Sequence, residues 1–167
     1  GQGGSYVSFE RYVMGFYFDQ VLRCANLRLT HMTGGHFELL RRDDERGQAR
    51  AGLGLDVLDH ETGKRRPAST LSGGETFEAS LSLALGLSDY AQQRAGGMHL
   101  DTVFIDEGFG SLDPEALERV IDVLAELASG DCLVGIISHV AELEARVDNR
   151  IEVVRTPEGS RIVQVGE

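Results

Sequence analysis

Leu71-Ser72-Gly73-Gly74-Glu75 sets a hydroxyl and two glycines immediately ahead of a long helical pattern. That order builds an anion seat. Ser72 can donate a hydroxyl hydrogen bond, Gly73 and Gly74 let the backbone approach a phosphate, and the helix opening near Glu75 aims its positive dipole end at the bound charge. Ser-Gly-Gly is also an ordinary turn, so the stretch decides the fold only together with the motifs C-terminal to it.

Downstream, the buried-type strand Thr102-Val103-Phe104-Ile105 runs into the paired acids Asp106-Glu107 and then Gly108-Phe109-Gly110-Ser111-Leu112-Asp113. The apolar run Leu133-Val134-Gly135-Ile136-Ile137 ends in Ser138-His139. Open α/β sheets present ligands at the carboxyl ends of their strands. Two adjacent carboxylates there repel one another, which is easier to accept if a cation or a reaction uses them; the plain alternative is a surface pair. His139 reaches the same region, or is simply a polar residue at a strand end. Asp113 before Pro114 suits a helix N-cap.

In this order the motifs resemble the signature loop, Walker B acids, D-loop and switch histidine of the ATP-binding-cassette ATPase superfamily. Within it, the run from Asp106 to Asp113 looks most like the SbcC family of exonuclease subunits. Met32-Thr33-Gly34-Gly35-His36-Phe37-Glu38-Leu39 and Thr62-Gly63-Lys64-Arg65-Arg66-Pro67 resemble the C-terminal ATPase lobe of that family, and the likeness runs from about Phe9 to Val165. The resemblance implies an α/β lobe of an ABC-type P-loop ATPase, with ATP and Mg²⁺ as cofactors. Asp106 would help hold hydrated Mg²⁺, Glu107 would polarise the attacking water, and His139 would contact the γ-phosphate and that water. Ser72, Gly73, Gly74 and Glu75 would meet a nucleotide seated on the opposing subunit of a homodimer, and Asp113 would touch that subunit through the D-loop.

The phosphate-cradling pattern Gly-x-x-x-x-Gly-Lys-Ser/Thr does not occur. Lys64, the only lysine, follows Gly63 but precedes Arg65, and Leu58 stands where the first glycine belongs. A complete ATPase therefore needs an N-terminal lobe that carries this loop. The resemblance also implies a separate SbcD-type metallonuclease, because no His and Asp set suited to two-metal chemistry is evident here.

The charge balance, 16 basic against 27 acidic residues and a net of −11, opposes general attraction to nucleic acid, so any contact with duplex DNA must be local. Lys64-Arg65-Arg66 is the candidate, and Arg41, Arg42, Arg46 and Arg50 form a second basic cluster; both have the alternative of a solvated or ion-paired face. Two cysteines, Cys24 and Cys132, make no disulfide framework and suggest a reduced compartment. No apolar run approaches the roughly 18 residues of a membrane span, and a cytoplasmic protein without membrane contact is the expectation. Gly1-Gln2-Gly3-Gly4 reads as a linker.

The 167 residues suit one lobe. Residues 1–30 read as a linker and a lead-in helix, with Met14, Phe18, Val21, Ala25 and Leu29 at helical spacing. The resemblance implies that this helix continues a coiled coil; an ordinary packing helix fits the same spacing. Residues 31–167 read as the ATPase lobe. Strands are expected at Phe37 to Leu40 and along Leu53, Leu55 and Val57, and a helix after the signature with Phe77, Leu81 and Leu85 inward, closed by Gly96-Gly97. A second helix follows Pro114 with a Leu117, Val120, Ile121, Leu124 and Leu127 stripe. The apolar strands predict a largely parallel sheet covered on both faces, and Ile151 to Arg155 with Arg161 to Val165 a closing hairpin. The function implied is coupling of ATP binding and hydrolysis to DNA double-strand-break repair with the nuclease. The rivals are a chromosome-structure ATPase of the SMC type and a transporter energy subunit, the latter disfavoured by Gly108-Phe109-Gly110 and by the missing phosphate loop.

Overall fold

The computed structural model describes residues 9–42, 54–95, 100–130, 132–147, 149–157 and 159–165. Leu53, Arg46, Arg50 and the Gly96-Gly97 stop lie outside them. The opening helix α1 (Phe9–Met32) ends where Gly34 and Gly35 take left-handed backbone, φ 62° and 85°. Its second half is built into the core, with Leu22, Ala25, Leu29 and Met32 buried, whereas Phe9, Tyr12 and Phe16 nearer the start are exposed. Asn26 ties the helix to the first strand: its Nδ2 donates to the Leu39 carbonyl at 2.9 Å, and the Leu39 N–H donates to its Oδ1 at 2.8 Å. The Leu39 N–H and C=O, which β2 does not take up, are thereby satisfied.

Three antiparallel strands come next, β1 (Phe37–Arg41), β2 (Leu55–Asp59) and β3 (Lys64–Pro67), in that spatial order. Asp59 shapes the β2–β3 turn by accepting from the N–H groups of Glu61 and Thr62, and Gly63 completes it at φ 64°. Strand β3 was legible in sequence only as a basic cluster. In the sheet Arg66 stands opposite Val57, which itself pairs with Leu39, so Arg66 shares the face that carries the buried aliphatics.

Helix α2 (Gly73–Ala95) leads to β4 (Thr102–Asp106); helix α3 (Pro114–Ala128) crosses over to β5 (Leu133–Ile137), which pairs with β4 in parallel. A short helix α4 (Ala141–Glu144) and the hairpin β6 (Arg150–Thr156) and β7 (Gly159–Val165) complete the lobe. The expected α/β class and closing hairpin are present. Among the described residues the parallel part is the β4–β5 pair, and the larger sheet is antiparallel.

The main core joins Met32 of α1, Leu81 and Leu85 of α2, Ile105 of β4, Phe109, and Leu117, Val120, Val123 and Leu124 of α3. The α3 stripe is therefore as the spacing predicts, with Ile121 and Leu127 packed at its margin. The expectation of a sheet covered on both faces is corrected here. Phe104 is 72% exposed, and Leu133 and Ile137 are exposed at the two ends of β5, so among the described residues one face of the parallel pair is open. An apolar strand sequence records that both faces are to be buried but not that the covering element lies on the same segment.

Candidate functional site

Parallel pairing of β4 with β5 sets Asp106 opposite Ile137, so the residues that leave the two strands emerge side by side. The Glu107 N–H donates to the Ile137 carbonyl at 2.9 Å and extends the ladder by one bond. Glu107 then turns sharply, at φ 59°, and Gly108 follows at φ 98°. A non-glycine residue in left-handed backbone costs on the order of 1 kcal/mol, a strain held here by the ladder bond behind it and the packing in front. The turn brings the Glu107 carboxylate to 2.9 Å from His139 Nδ1. A carboxylate only accepts, so Nδ1 carries the proton in this contact. Both side chains are largely exposed. Asp106 and Glu107 lie at the end of β4 and His139 just beyond β5, so the three stand at the carboxyl end of the parallel pair, with Glu107 and His139 in contact.

Ser72 and Glu75 open α2 with a reciprocal cap. The Ser72 N–H donates to Glu75 Oε2 at 2.6 Å, and the Glu75 N–H donates to Ser72 Oγ at 3.3 Å. The helix starts at Gly73, two residues earlier than read from the sequence. Capping employs Oγ as an acceptor and leaves the hydroxyl hydrogen available to an anion. Asp113 caps α3 as expected, Oδ1 accepting from the Ala116 N–H at 2.9 Å, with Pro114 in the first turn.

The two halves of the site are locked together by contacts that motif reading missed. A Cβ on Gly74 would lie 2.7 Å from the Ser111 carbonyl oxygen, so the second glycine of the Ser72-Gly73-Gly74 turn is required for the close approach of the segment around Ser111. A Cβ on Gly108 would meet the Phe77 ring at 2.3 Å, and Phe77 packs edge-on against Phe109 with centroids 5.0 Å apart. Phe109 is 1% exposed. Helix α2, which begins at the signature, thus grips the segment just beyond Glu107. The signal that pointed to this was the helical spacing of Phe77, which predicts an inward face but not its partner.

Behind these contacts Glu78, 5% exposed, has a carboxylate oxygen without a hydrogen-bond partner. Burial pushes it up to about 7; Arg119 partly opposes this, and Asp113 and Glu75 add to it. Arg119 itself donates to the Met32 carbonyl at 2.7 Å and so caps the end of α1.

The basic cluster is occupied within the chain. Arg65 Nε donates to Asp56 Oδ2 at 2.9 Å and its Nη2 to the Arg41 carbonyl at 2.8 Å. Burial would raise Asp56, but the guanidinium groups of Arg42 and Arg65 outweigh it and hold the carboxyl below its ordinary value. Arg66 turns to the signature side, and Lys64 is exposed. Cys24 and Cys132 are free thiols. No helix among the described residues is long and apolar enough to cross a membrane.

Comparison with known proteins agrees with this arrangement. Residues 44–126 match the family model described as SbcC/RAD50-like, Walker B motif. The SbcC component of the SbcCD nuclease of Vibrio cholerae is 49% identical over 97% of this chain, and that of Staphylococcus epidermidis 48% over 92%. The matches cover 16% and 15% of those proteins, so the chain spans about a sixth of their length. Among solved structures, a chain from work on ATP-driven dimerization and DNA stimulated activation of SMC ATPases superposes with TM-score 0.73 at 15% identity, covering 93% of this chain and 89% of that one. The SMC head domain from Thermotoga maritima gives 0.61 at 19%, covering 95% and 52%. At such identities these likenesses are of fold.

Proposed function

This chain belongs to the SbcC family, and from that premise we propose that it is the C-terminal lobe of an ATPase subunit that couples ATP binding and hydrolysis to DNA double-strand-break repair with a nuclease partner. The observation that carries the proposal is the junction of Glu107 with His139 at the ends of two parallel strands, 2.9 Å apart, on the lobe that also presents the capped Ser72-Gly73-Gly74 turn.

Each side chain then has work that its geometry suits. Glu107, an exposed carboxylate held at a forced backbone turn, accepts a proton from the attacking water, and its hydrogen bond to His139 fixes its direction. His139 orients that carboxylate and stands beside the reacting phosphate. Asp106 offers a hard oxygen ligand of the kind Mg²⁺ takes, one or two carboxylates with the remainder from phosphates and water. No cluster of three His, Cys, Asp or Glu among the described residues holds a metal unaided, which fits an ion shared with nucleotide and a second lobe. When bound, that ion would neutralise charge on the phosphates. Ser72 and the amides that open α2 take the γ-phosphate of a nucleotide on the opposing subunit of a homodimer, and Asp113 supports the D-loop against it.

The open face of β4 and β5 suits cover by the N-terminal lobe that would bring the phosphate loop. The exposed first half of α1 suits a coiled coil. A separate metallonuclease would cut DNA, while closure of the two ATPase heads around ATP would govern access to it. Purification of the complete subunit from its native cell tests this directly. A bound metallonuclease whose cutting depends on ATP is the expected result; an ATPase that associates only with DNA-tethering subunits would favour the SMC-type reading.

A further inference from the structure

Strand β3 and the signature turn are joined by Arg66. Its Nη1 lies 2.7 Å from both the carbonyl oxygen and Oγ1 of Thr70, its Nη2 is 3.7 Å from Glu75 Oε1, and its guanidinium lies over the Phe37 ring at 5.7 Å. About 29% of the side chain is exposed. This is a placed group, held by Thr70, Glu75 and Phe37 in a fork geometry that a lysine does not reproduce.

The placement answers an electrostatic difficulty in the signature turn. Glu75 must be there for the cap, since its Oε2 takes up the Ser72 N–H. Yet a carboxylate beside a seat for a multiply charged phosphate repels that phosphate. The free oxygen of the same carboxylate, Oε1, faces Arg66. We infer that Arg66 is a positioning residue for nucleotide capture, one that neutralises Glu75 and fixes the turn from Thr70 to Ser72 so that the Ser72 hydroxyl and the α2 amides meet the γ-phosphate. The inference rests on the proposed role of the signature turn in ATP binding across the dimer. It moves Arg66 from a candidate DNA contact to the nucleotide site.

Variants of the complete two-lobed ATPase test it, with ATP-dependent dimerisation and DNA-free hydrolysis as readouts. Arg66→Ala should raise the ATP concentration needed for dimerisation, and KM with it, on the order of 10-fold, while kcat at saturating ATP stays within about threefold. The double variant Arg66→Ala/Glu75→Gln should reverse most of the rise in KM, because glutamine keeps the cap and removes the charge; the remainder reports the lost Arg66 contacts to Thr70. Arg66→Gln, alone and with Glu75→Gln, repeats the comparison with a longer side chain should the alanine variant fold poorly. A double variant as weak as the single would show that Arg66 only supports the fold, and would overturn the inference. So would normal ATP dependence with a loss confined to DNA affinity. Ser72→Asp separates the underlying reading, since aspartate preserves an N-cap but puts a carboxylate in the seat. Dimerisation lost by about 100-fold supports the seat, and unchanged dimerisation removes it and the inference together.

Discussion

Glu107 is the residue at which backbone and chemistry meet. Its φ of 59° aims the carboxylate at His139 instead of along the strand. Replacement by glutamine keeps the shape and removes the carboxylate proposed as the base. Glu107→Gln in the complete ATPase should bind ATP and slow hydrolysis by about 10² to 10⁴ fold, read by trapped nucleotide and single-turnover rates; unchanged turnover would remove the assignment. Gly108→Ala tests the turn itself. The methyl would carry φ 98° and collide with a Phe77 ring held by Phe109, so a loss of about 2 kcal/mol or more in thermal or denaturant unfolding is expected. The acids, the histidine and the Asp113 cap were legible because their chemistry is written in residue type and spacing. The left-handed Glu107, the Gly74 approach to Ser111 and the engagement of Arg66 were not, since each depends on a partner distant in sequence.

Among the elements, α2 carries the greatest constraint. Its Gly86 abuts α1, and a Cβ there would stand 2.4 Å from the Ala25 nitrogen, so the two helices cross at backbone contact. Glycine inside a helix costs about 1 kcal/mol relative to alanine, and close packing offsets that cost. Gly86→Val should part the helices and lower the melting temperature by several degrees. One turn from the signature, Glu78 ties α2 to pH. Folded, it retains its proton to about 7, whereas the unfolded chain releases it near 4.5. The folded state thus binds more protons in that interval, and stability falls as pH rises from about 4.5 to about 7, by on the order of 3 kcal/mol, then levels off. Glu78→Gln should flatten this dependence, with its advantage in melting temperature larger at pH 8 than at pH 5. Helical spacing marked Phe77, Leu81 and Leu85 as inward, but an acidic residue in the same inward region breaks the pattern and could be found only from the packed structure.

At the scale of the molecule, a net charge of −11 leaves DNA attraction to local features, and the ion pairs of Arg65 and Arg66 narrow these. Lys64 and Arg65 are both exposed, but Arg65 is held by Asp56. Lys64→Glu in the full complex should weaken duplex binding and lower its salt slope by about one if the β2–β3 tip touches phosphate; an unaltered slope would place the contact elsewhere. The fold class was legible in the alternation of helices and apolar strands. The open face at Phe104 was not, because hydrophobicity alone does not name the segment that buries it. The central claim is that this lobe holds the catalytic carboxylate of an ATPase completed by another lobe. ATP hydrolysis should be measured with this chain alone, then mixed with an N-terminal lobe carrying Gly-x-x-x-x-Gly-Lys-Ser/Thr, with Glu107→Gln beside it. Turnover only in the mixture and lost in the variant is the predicted result; a mixture that stays inactive, or one that the variant leaves at full rate, would contradict the account.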